Sequence, residues 1–233
     1  MSEYDVPKEM TKEDMQEVLS QFRKGAIYAK NAGFDGVELH GANGYLIDQF
    51  LRDATNQRTD EYGGSAENRC RFPLQVLDVL IEEFGADKVA IRVSPLGRYN
   101  DMFDSDPIST YSCLIKELDK RQIAFLEITR HHEAAKFPNL YEVQPEDQIP
   151  NVYEAFRPFF KGTLIANTCF DLESANQIIA AGLADMVSFG SNYIANPDLV
   201  LRFKNNWPLN TPNMKTFYAP GAEGYIDYPK FQL

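Results

Sequence analysis

Apolar positions along the chain alternate between a helical and a strand period. Residues 11–31 carry apolar side chains at steps of three and four, which predicts an amphipathic helix. Short apolar runs and further amphipathic stretches then follow in turn. Helices are predicted over 11–31, 65–84, 109–121, 151–160, 172–181 and 197–205, and strands over 36–39, 88–93, 124–128, 163–166 and 185–189. Strands that alternate with helices form parallel βαβ units with right-handed crossovers.

The count of predicted strands indicates an incomplete barrel. A complete (β/α)₈ barrel takes about 250 residues, whereas these 233 residues supply five strands and start on a helix. Loops at 40–64, 94–108 and 129–150 follow strands, on the side where barrels build active sites. We therefore expect an α/β fold, a partial TIM barrel of about five βα units that are the last five, with the first strands absent. Residues 1–233 would form one incomplete barrel domain, with an irregular tail over 208–233.

Composition and charge narrow the class of partner. Lys plus Arg number 23 and Asp plus Glu number 34, so the formal charge is −11. The sequence contains no cluster of Lys and Arg residues. Nucleic acid and anionic membranes are therefore not expected as partners. The amino-terminal residues are polar and no long apolar run occurs, so a cytoplasmic location is expected. Three widely spaced cysteines favour neither a disulfide framework nor a structural zinc site.

Candidate chemistry begins at the end of the first predicted strand. His40 and Asn43 can both donate hydrogen bonds to one carbonyl oxygen and polarise it. Tyr45 follows as a weak acid that can deliver a proton. The alternative is an ordinary loop in which the same three side chains only satisfy turn hydrogen bonds.

Arg92 is the second unusual residue, because it interrupts an otherwise apolar strand. A buried guanidinium needs an anion or an electron-rich partner. The alternative is a purely structural ion pair with a carboxylate such as Glu38 or Glu127.

Three further groups carry weaker signals. A dense set of charges surrounds the Gly63-Gly64 turn, and we expect it to bind a loop to a helix. Adjacent histidines at His131-His132-Glu133 lack a third ligand at metal-binding spacing, so no metal site is expected. The last two strands end in Ala166-Asn167-Thr168-Cys169 and Phe189-Gly190-Ser191, each ahead of a helix, which is the usual place for a phosphate cradle in a barrel.

Longer motifs resemble the Old Yellow Enzyme family. The first is His40-Gly-Ala-Asn43-Gly-Tyr45-Leu-Ile-Asp-Gln-Phe-Leu, followed by Asn56-Gln-Arg-Thr-Asp-Glu-Tyr-Gly-Gly-Ser65. The ends Ile194-Ala-Asn-Pro-Asp-Leu199 and Gly224-Tyr-Ile-Asp-Tyr-Pro229 are also similar, so the resemblance covers nearly the whole chain. Members are FMN-dependent ene-reductases on a (β/α)₈ barrel and include the 12-oxophytodienoate reductases.

The resemblance implies a role for each matching residue. His40 and Asn43 would hold the carbonyl oxygen of an enone substrate, and Tyr45 would donate the proton to its α-carbon. Arg92 would face the pyrimidine side of FMN, and Tyr225 would line the substrate pocket. The phosphate end of FMN would meet Thr168, Cys169, Phe170, Gly190 and Ser191. NAD(P)H would be the reductant, and the flavin N5 hydride would reach the β-carbon of the alkene.

The chain departs from the family in two respects. The family usually has Arg or Lys where Ser191 stands, and commonly glycine at Cys169 and often at Thr168. Family members also carry about three more strands before this point, and five strands leave two open sheet edges. We therefore expect a protein partner, or a missing amino-terminal half, to cover those edges. The alternative function is a truncated, catalytically silent member that acts as a structural or interaction subunit of a larger assembly.

Overall fold

The computed structural model describes residues 7–131 and 148–232 as five short strands with helices between them. The strands are β1 (Val37–Gly41), β2 (Val89–Val93), β3 (Phe125–Thr129), β4 (Thr163–Asn167) and β5 (Met186–Val187). The helices are α1 (Lys12–Asn31), α2 (Leu46–Leu51), α3 (Ala66–Phe84), α4 (Pro107–Arg121), α5 (Val152–Phe156), α6 (Leu172–Ala180), α7 (Ser191–Ala195) and α8 (Leu199–Asn205).

The strands form one parallel sheet in the order β1-β2-β3-β4-β5, so each crossover leads to the neighbouring strand. This confirms an α/β fold with a five-stranded parallel sheet. The register places His40 beside Arg92 and Arg92 beside Glu127. Within the part of the chain that is described, β1 and β5 are the open edges of the sheet. That the absent strands are the first ones of a barrel stays a prediction.

Every predicted helix and strand is present; most bounds shift by one or two residues, and two elements differ more. The strand expected over 185–189 shortens to the two residues of β5, and the helix expected over 151–160 ends at Phe156, where a 3₁₀ turn (Arg157–Phe159) continues it. Two helices, α2 and α7, were not predicted. Each is six residues or shorter, too short to show a helical period in the sequence. The tail after Pro208 is irregular apart from a 3₁₀ turn at Met214–Thr216.

Local sequence signals account for where the first helix begins and ends. Thr11 accepts a hydrogen bond from the amide of Asp14, and the Asp14 carboxylate accepts one from the amide of Thr11, which is a capping box. The chain then turns at Gly33, whose φ of +86° suits glycine. The helix packs against α3, where Phe72, Val76 and Leu77 are fully buried.

The two faces of the sheet differ in chemistry because strand side chains alternate. One face packs beneath the helices and is apolar; its members are Leu39, Ile91, Leu126 and Leu164, all at most 2% exposed. The opposite face carries polar side chains. Those side chains are Glu38, His40, Arg92, Glu127 and Asn167.

A buried ion pair joins the loops that follow β1 and β2. Arg52 is 1% exposed, and its Nε donates to Asp48 Oδ1 at 2.9 Å. The same guanidinium donates to the carbonyl oxygens of Ser94 and Gly97 beyond β2. Tyr111 Oη on α4 donates to Asp48 Oδ1 at 2.9 Å, so three segments of the chain meet at this pair. Because water is excluded from this buried cluster, each of its hydrogen-bond donors needs an acceptor within the protein.

Other charges around the Gly63-Gly64 turn also hold loops in place, as predicted. Arg58 pairs with Asp60 and donates to the carbonyl oxygen of Met10 at 2.7 Å. Arg69 donates to the carbonyl oxygen of Leu51 at 2.7 Å and lies 3.6 Å from Asp104.

Replacing Arg52 should destabilise the fold strongly. Arg52→Met would leave Asp48 buried without its cation, and breaking a buried pair in this way costs about 3–5 kcal/mol. Urea denaturation followed by circular dichroism would measure the loss. Arg23→Met is the matched control, since Arg23 pairs with Glu82 and Glu83 at the surface and such pairs contribute about 0–1 kcal/mol. Equal losses in the two variants would contradict a special role for the buried pair.

Candidate active site

The polar face of the sheet carries a connected hydrogen-bond network centred on Arg92. Arg92 Nη1 lies 3.3 Å from Glu127 Oε1, and Nη2 donates to Asn167 Oδ1 at 2.8 Å. Asn167 Nδ2 donates to Ser188 Oγ at 2.7 Å, and Ser188 Oγ donates back to Glu127 Oε1 at 2.6 Å. A structural ion pair is the alternative role that the sequence leaves open for Arg92. That ion pair is present, with Glu127 as the partner.

A cavity of about 510 Å³ opens above this network. Four residues predicted for the site line it together: Asn43, Tyr45, Arg92 and Thr168. The other lining residues come from the loop after β2, from the end of β3 and the loop that follows it, and from the tail; they are Gly97, Arg98, Tyr99, Thr129, Arg130, His131 and Tyr218. The carboxyl ends of β1, β2 and β4 thus converge on one space, as a barrel site requires.

His40 lies beside this cavity, with its ring 5.4 Å from the ring of Tyr45. Burial and the neighbouring Arg92 guanidinium lower the pKa of His40, outweighing the opposing effect of Asp48 and Glu127. A neutral imidazole is therefore favoured at pH 7, with one N–H to donate and one nitrogen to accept. Tyr45 is the residue before α2 and is 53% exposed, so its hydroxyl is open to a ligand.

The backbone around Asn43 is held from both sides. Its amide donates to Ser94 Oγ at 2.9 Å, and its carbonyl oxygen accepts from Asn100 Nδ2 at 2.9 Å. Its φ of 59° lies in the left-handed region, which asparagine tolerates better than most residues. Gly44 follows at φ 75°, and its amide donates to the buried Asp48. The buried ion pair therefore also orients this loop.

The loop after β4 adopts a conformation that normally selects glycine. Thr168 has φ 84° and Cys169 has φ 55°, and such values are uncommon for non-glycine residues, above all a β-branched one. Arg130, just after β3, binds both carbonyl oxygens: Nε donates to Thr168 at 2.9 Å and Nη2 to Cys169 at 2.5 Å. Its guanidinium also lies 4.1 Å from the ring centre of Phe170. Sequence reasoning missed Arg130, although a cation directly after a strand end was a visible signal.

Six residues predicted for the site are not part of the cavity lining: His40 lies beside it, as described above, and Cys169 lines a separate cavity together with Phe170. Phe170 is 6% exposed and packs against Tyr153 in the core. Gly190 precedes α7, where an added Cβ would meet no atom within 4 Å, and Ser191 is exposed. Tyr225 is exposed, whereas another tail tyrosine, Tyr218, lines the cavity.

Comparison with known proteins decides the family. A profile of the NADH:flavin oxidoreductase / NADH oxidase family matches residues 1–210. The chain belongs to this family. The resemblance to Old Yellow Enzymes inferred from the motifs is thereby confirmed.

Individual relatives agree with that assignment. Putative 12-oxophytodienoate reductase 4 of Oryza sativa subsp. japonica is 44% identical over 227 residues, covering 97% of this chain and 58% of that protein. A probable flavin mononucleotide-dependent alkene reductase of Leishmania infantum is 42% identical over 226 residues, 97% of this chain and 59% of that protein. The chain therefore spans about three fifths of the length of these relatives.

Solved structures of family members share the fold. Morphinone reductase in complex with tetrahydroNAD matches at a TM-score of 0.86 and 38% identity, over 98% of this chain and 59% of that one. The Old Yellow Enzyme homologue from Zymomonas mobilis matches at a TM-score of 0.91 and 37% identity, over 98% of this chain and 62% of that one. Both comparisons again cover only part of the solved enzymes.

One observation tests whether the family's flavin fits these residues. Arg92 Nε is buried and has no hydrogen-bond partner among residues 7–131 and 148–232, although Nη1 and Nη2 are both bound. A buried donor without an acceptor costs about 1–3 kcal/mol, so such a group marks a place for a ligand or water. Because Arg92 also lines the cavity, an electron-rich heteroaromatic edge such as the flavin pyrimidine fits this donor.

Two remaining sequence expectations concern metals and membranes. In residues 7–131 and 148–232 no group of three or more His, Cys, Asp or Glu side chains is placed to hold a metal. His132 and Glu133 lie outside the described residues. Over those same residues, every helix is too short or too polar to span a bilayer.

Replacing Thr168 by glycine should stabilise the chain. Glycine adopts φ 84° without the steric cost that threonine meets, so Thr168→Gly should gain about 1 kcal/mol in the free energy of unfolding. Thr163→Gly, in the extended backbone of β4, is the control and should lose a similar amount. If both variants were destabilised equally in urea denaturation, the left-handed backbone at Thr168 would not be a source of strain.

Glu38 should make stability depend on pH. Burial and the nearby Glu127 carboxylate raise the pKa of Glu38 to about 7. A carboxyl with a raised pKa binds its proton more tightly in the folded state, so the stability it contributes is lost as pH rises from about 4.5 to 7. Glu38→Gln should flatten this part of the profile, measured by urea denaturation at several pH values.

Glu61→Gln provides the comparison for that experiment. Its hydrogen bond with Lys12 lowers the pKa of Glu61, which therefore titrates below this window. The free energy of unfolding of Glu61→Gln should vary with pH as that of the parent chain does between about pH 5 and pH 7, the range in which Glu38 titrates. An unchanged slope in Glu38→Gln would show that Glu38 is not the group responsible.

Proposed function

We propose that this chain carries the substrate-activating half of an FMN-dependent NAD(P)H oxidoreductase that reduces the C=C bond of α,β-unsaturated carbonyl compounds. The observation that carries the proposal is the convergence of Asn43, Tyr45 and Arg92 on one cavity, with His40 against Tyr45. Two relatives are named for alkene or 12-oxophytodienoate reduction, which supports the same chemistry.

His40 and Asn43 act on the carbonyl group of the substrate. The lowered pKa keeps the imidazole neutral, and the imidazole N–H and the Asn43 amide donate to the carbonyl oxygen. Two donors stabilise the negative charge that develops on this oxygen as the β-carbon is reduced. When bound, FMN reduced by NAD(P)H supplies the hydride through N5. Tyr45 completes the reduction by donating its hydroxyl proton to the α-carbon.

Other residues of the chain hold the cofactor. The unpaired Nε of Arg92 would donate to the pyrimidine side of FMN, while Glu127 and Asn167 fix the guanidinium. Thr168, Cys169 and Phe170, with Gly190 and Ser191, would form the phosphate end. Tyr225 would contribute to the substrate pocket once the barrel is complete.

The open sheet edges bear on how the site is completed. Within the described residues β1 and β5 pair on one side only, and the matched relatives are longer. We propose that further strands, on this or another polypeptide, pair with these edges and enclose the cavity. The same open edges favour the second candidate function, a catalytically silent subunit of a larger assembly. Yellow colour and flavin absorbance in the purified protein would favour the enzyme.

Tyr45→Phe should slow alkene reduction without slowing reduction of bound flavin by NAD(P)H. Removing a proton donor costs roughly 10²–10⁴-fold in the step that uses the proton. Stopped-flow absorbance can follow the two half-reactions separately in flavin-loaded protein. Tyr28→Phe, an exposed tyrosine on α1, is the control and should leave both rates unchanged.

The outcome separates the two candidate functions. Equal slowing of both half-reactions in Tyr45→Phe would refute the proton-donor role. Failure of the parent chain to bind FMN, when a complementary polypeptide is also supplied, would favour the silent subunit.

A further inference from the structure

Two thiols meet at the interface between α3 and α4, on the outer side of the fold. Cys70 on α3 is 1% exposed, and Cys113 on α4 is half-buried. Helices α3 and α4 pack against each other, and each thiol shifts the pKa of the other. Cys70 Sγ also lies 3.7 Å from the carbonyl oxygen of Thr110, one turn before Cys113 on α4. Neither thiol contributes to the candidate active site described above.

A surface cavity of about 570 Å³ reaches Cys113. Cys113 lines the cavity, together with Lys116 one turn further along α4 and Glu67 at the start of α3. Cys70 is not among the lining residues. A small reagent that enters this cavity therefore meets Cys113 before Cys70, which is 1% exposed.

Local electrostatics make Cys113 the more acidic thiol. The hydrogen bond from Cys70 lowers the pKa of Cys113, with a smaller contribution from the Lys116 ammonium, against burial and the carboxylates of Glu67 and Glu117. The same hydrogen bond and burial raise the pKa of Cys70. The proton therefore stays on the buried sulfur, and the thiolate forms on the accessible one. Thiolates are the nucleophilic and oxidisable form of cysteine.

We propose that Cys113 and Cys70 form a hydroperoxide-oxidised thiol pair, with Cys113 as the attacking sulfur and Cys70 as the resolving one. The Cys113 thiolate attacks one peroxide oxygen, the O–O bond breaks, and the other oxygen leaves as an alkoxide or hydroxide that takes up a proton. The sulfur of Cys70 then attacks Cys113, the S–O bond breaks, and water leaves with the proton of Cys70. Overall, two thiols and one hydroperoxide give one disulfide, one alcohol or water, and one water.

The test uses the full chain carrying Cys169→Ser, because Cys169 is exposed and would react on its own. The protein is treated with hydrogen peroxide, denatured, alkylated with iodoacetamide and digested for mass spectrometry. The expected product is a single disulfide-linked peptide pair containing Cys70 and Cys113, with both thiols lost together. The linked protein should melt roughly 5–15 °C higher, because the cross-link restricts the unfolded chain.

Two further variants in the same background separate the roles. Cys70→Ser should stop at a sulfenic acid on Cys113, which dimedone labels, because no second thiol is present to resolve it. Cys113→Ser should leave Cys70 reduced at the same peroxide dose. Circular dichroism checks that each variant is folded, and Cys113→Ser, at the half-buried position, tests the proposal even if Cys70→Ser does not fold.

Three results would overturn the proposal. One is persistence of both free thiols at peroxide doses that oxidise Cys169 in the parent chain. Another is a disulfide that joins two chains instead of two helices of one chain. The third is oxidation of Cys70 in the Cys113→Ser variant, which would show that the buried thiol is reached without its neighbour.

Discussion

The buried pair of Asp48 and Arg52 is the constraint on which the candidate site depends. Asp48 binds the amide of Gly44, and Arg52 binds the carbonyl oxygens of Ser94 and Gly97, so one ion pair joins the loops after β1 and β2. The amide of Asn43 donates to Ser94 Oγ in the same cluster. Burying two charges is costly unless each has its full set of partners. Here those partners are backbone groups of the site loops, so the loops cannot shift without exposing an unmet charge.

On the polar face of the sheet, Arg92 forms an ion pair and is also proposed to contact the cofactor. Its terminal nitrogens are bound by Glu127 and Asn167, which explains how a guanidinium is tolerated inside an apolar strand. Two carboxyl groups, Glu38 and Glu127, share this one cation, and the raised pKa of Glu38 shows that one of them keeps a proton near neutrality. The ion pair and the proposed cofactor contact are therefore compatible. The ion pair fixes the side chain, and Nε remains available for a ligand.

Periodicity and strand position predicted most of the fold and the centre of the site. The strands were predictable because each is a short apolar run between helices, and His40, Asn43 and Arg92 because strand ends converge in βαβ folds. Arg130 was not predicted: its position directly after β3 was visible in the sequence, but its contacts depend on the backbone conformation of the loop after β4, which only tertiary packing creates. Helices α2 and α7 are too short for their apolar residues to show a helical period. The contact between Cys70 and Cys113 likewise follows from the packing of α3 on α4 and has no local signal.

The loop at Thr168 and Cys169 shows how a left-handed backbone is held at two positions that are not glycine. Both residues retain the left-handed backbone that glycine would adopt freely, and Arg130 binds both carbonyl oxygens from one side. The peptide bonds are trans, so the N–H groups on those two peptides point away from Arg130. The arginine therefore offsets part of the backbone strain and also orients two amide donors in a common direction. Oriented amides bind anions through backbone geometry, so the proposed contact with the FMN phosphate does not require glycine at these two positions.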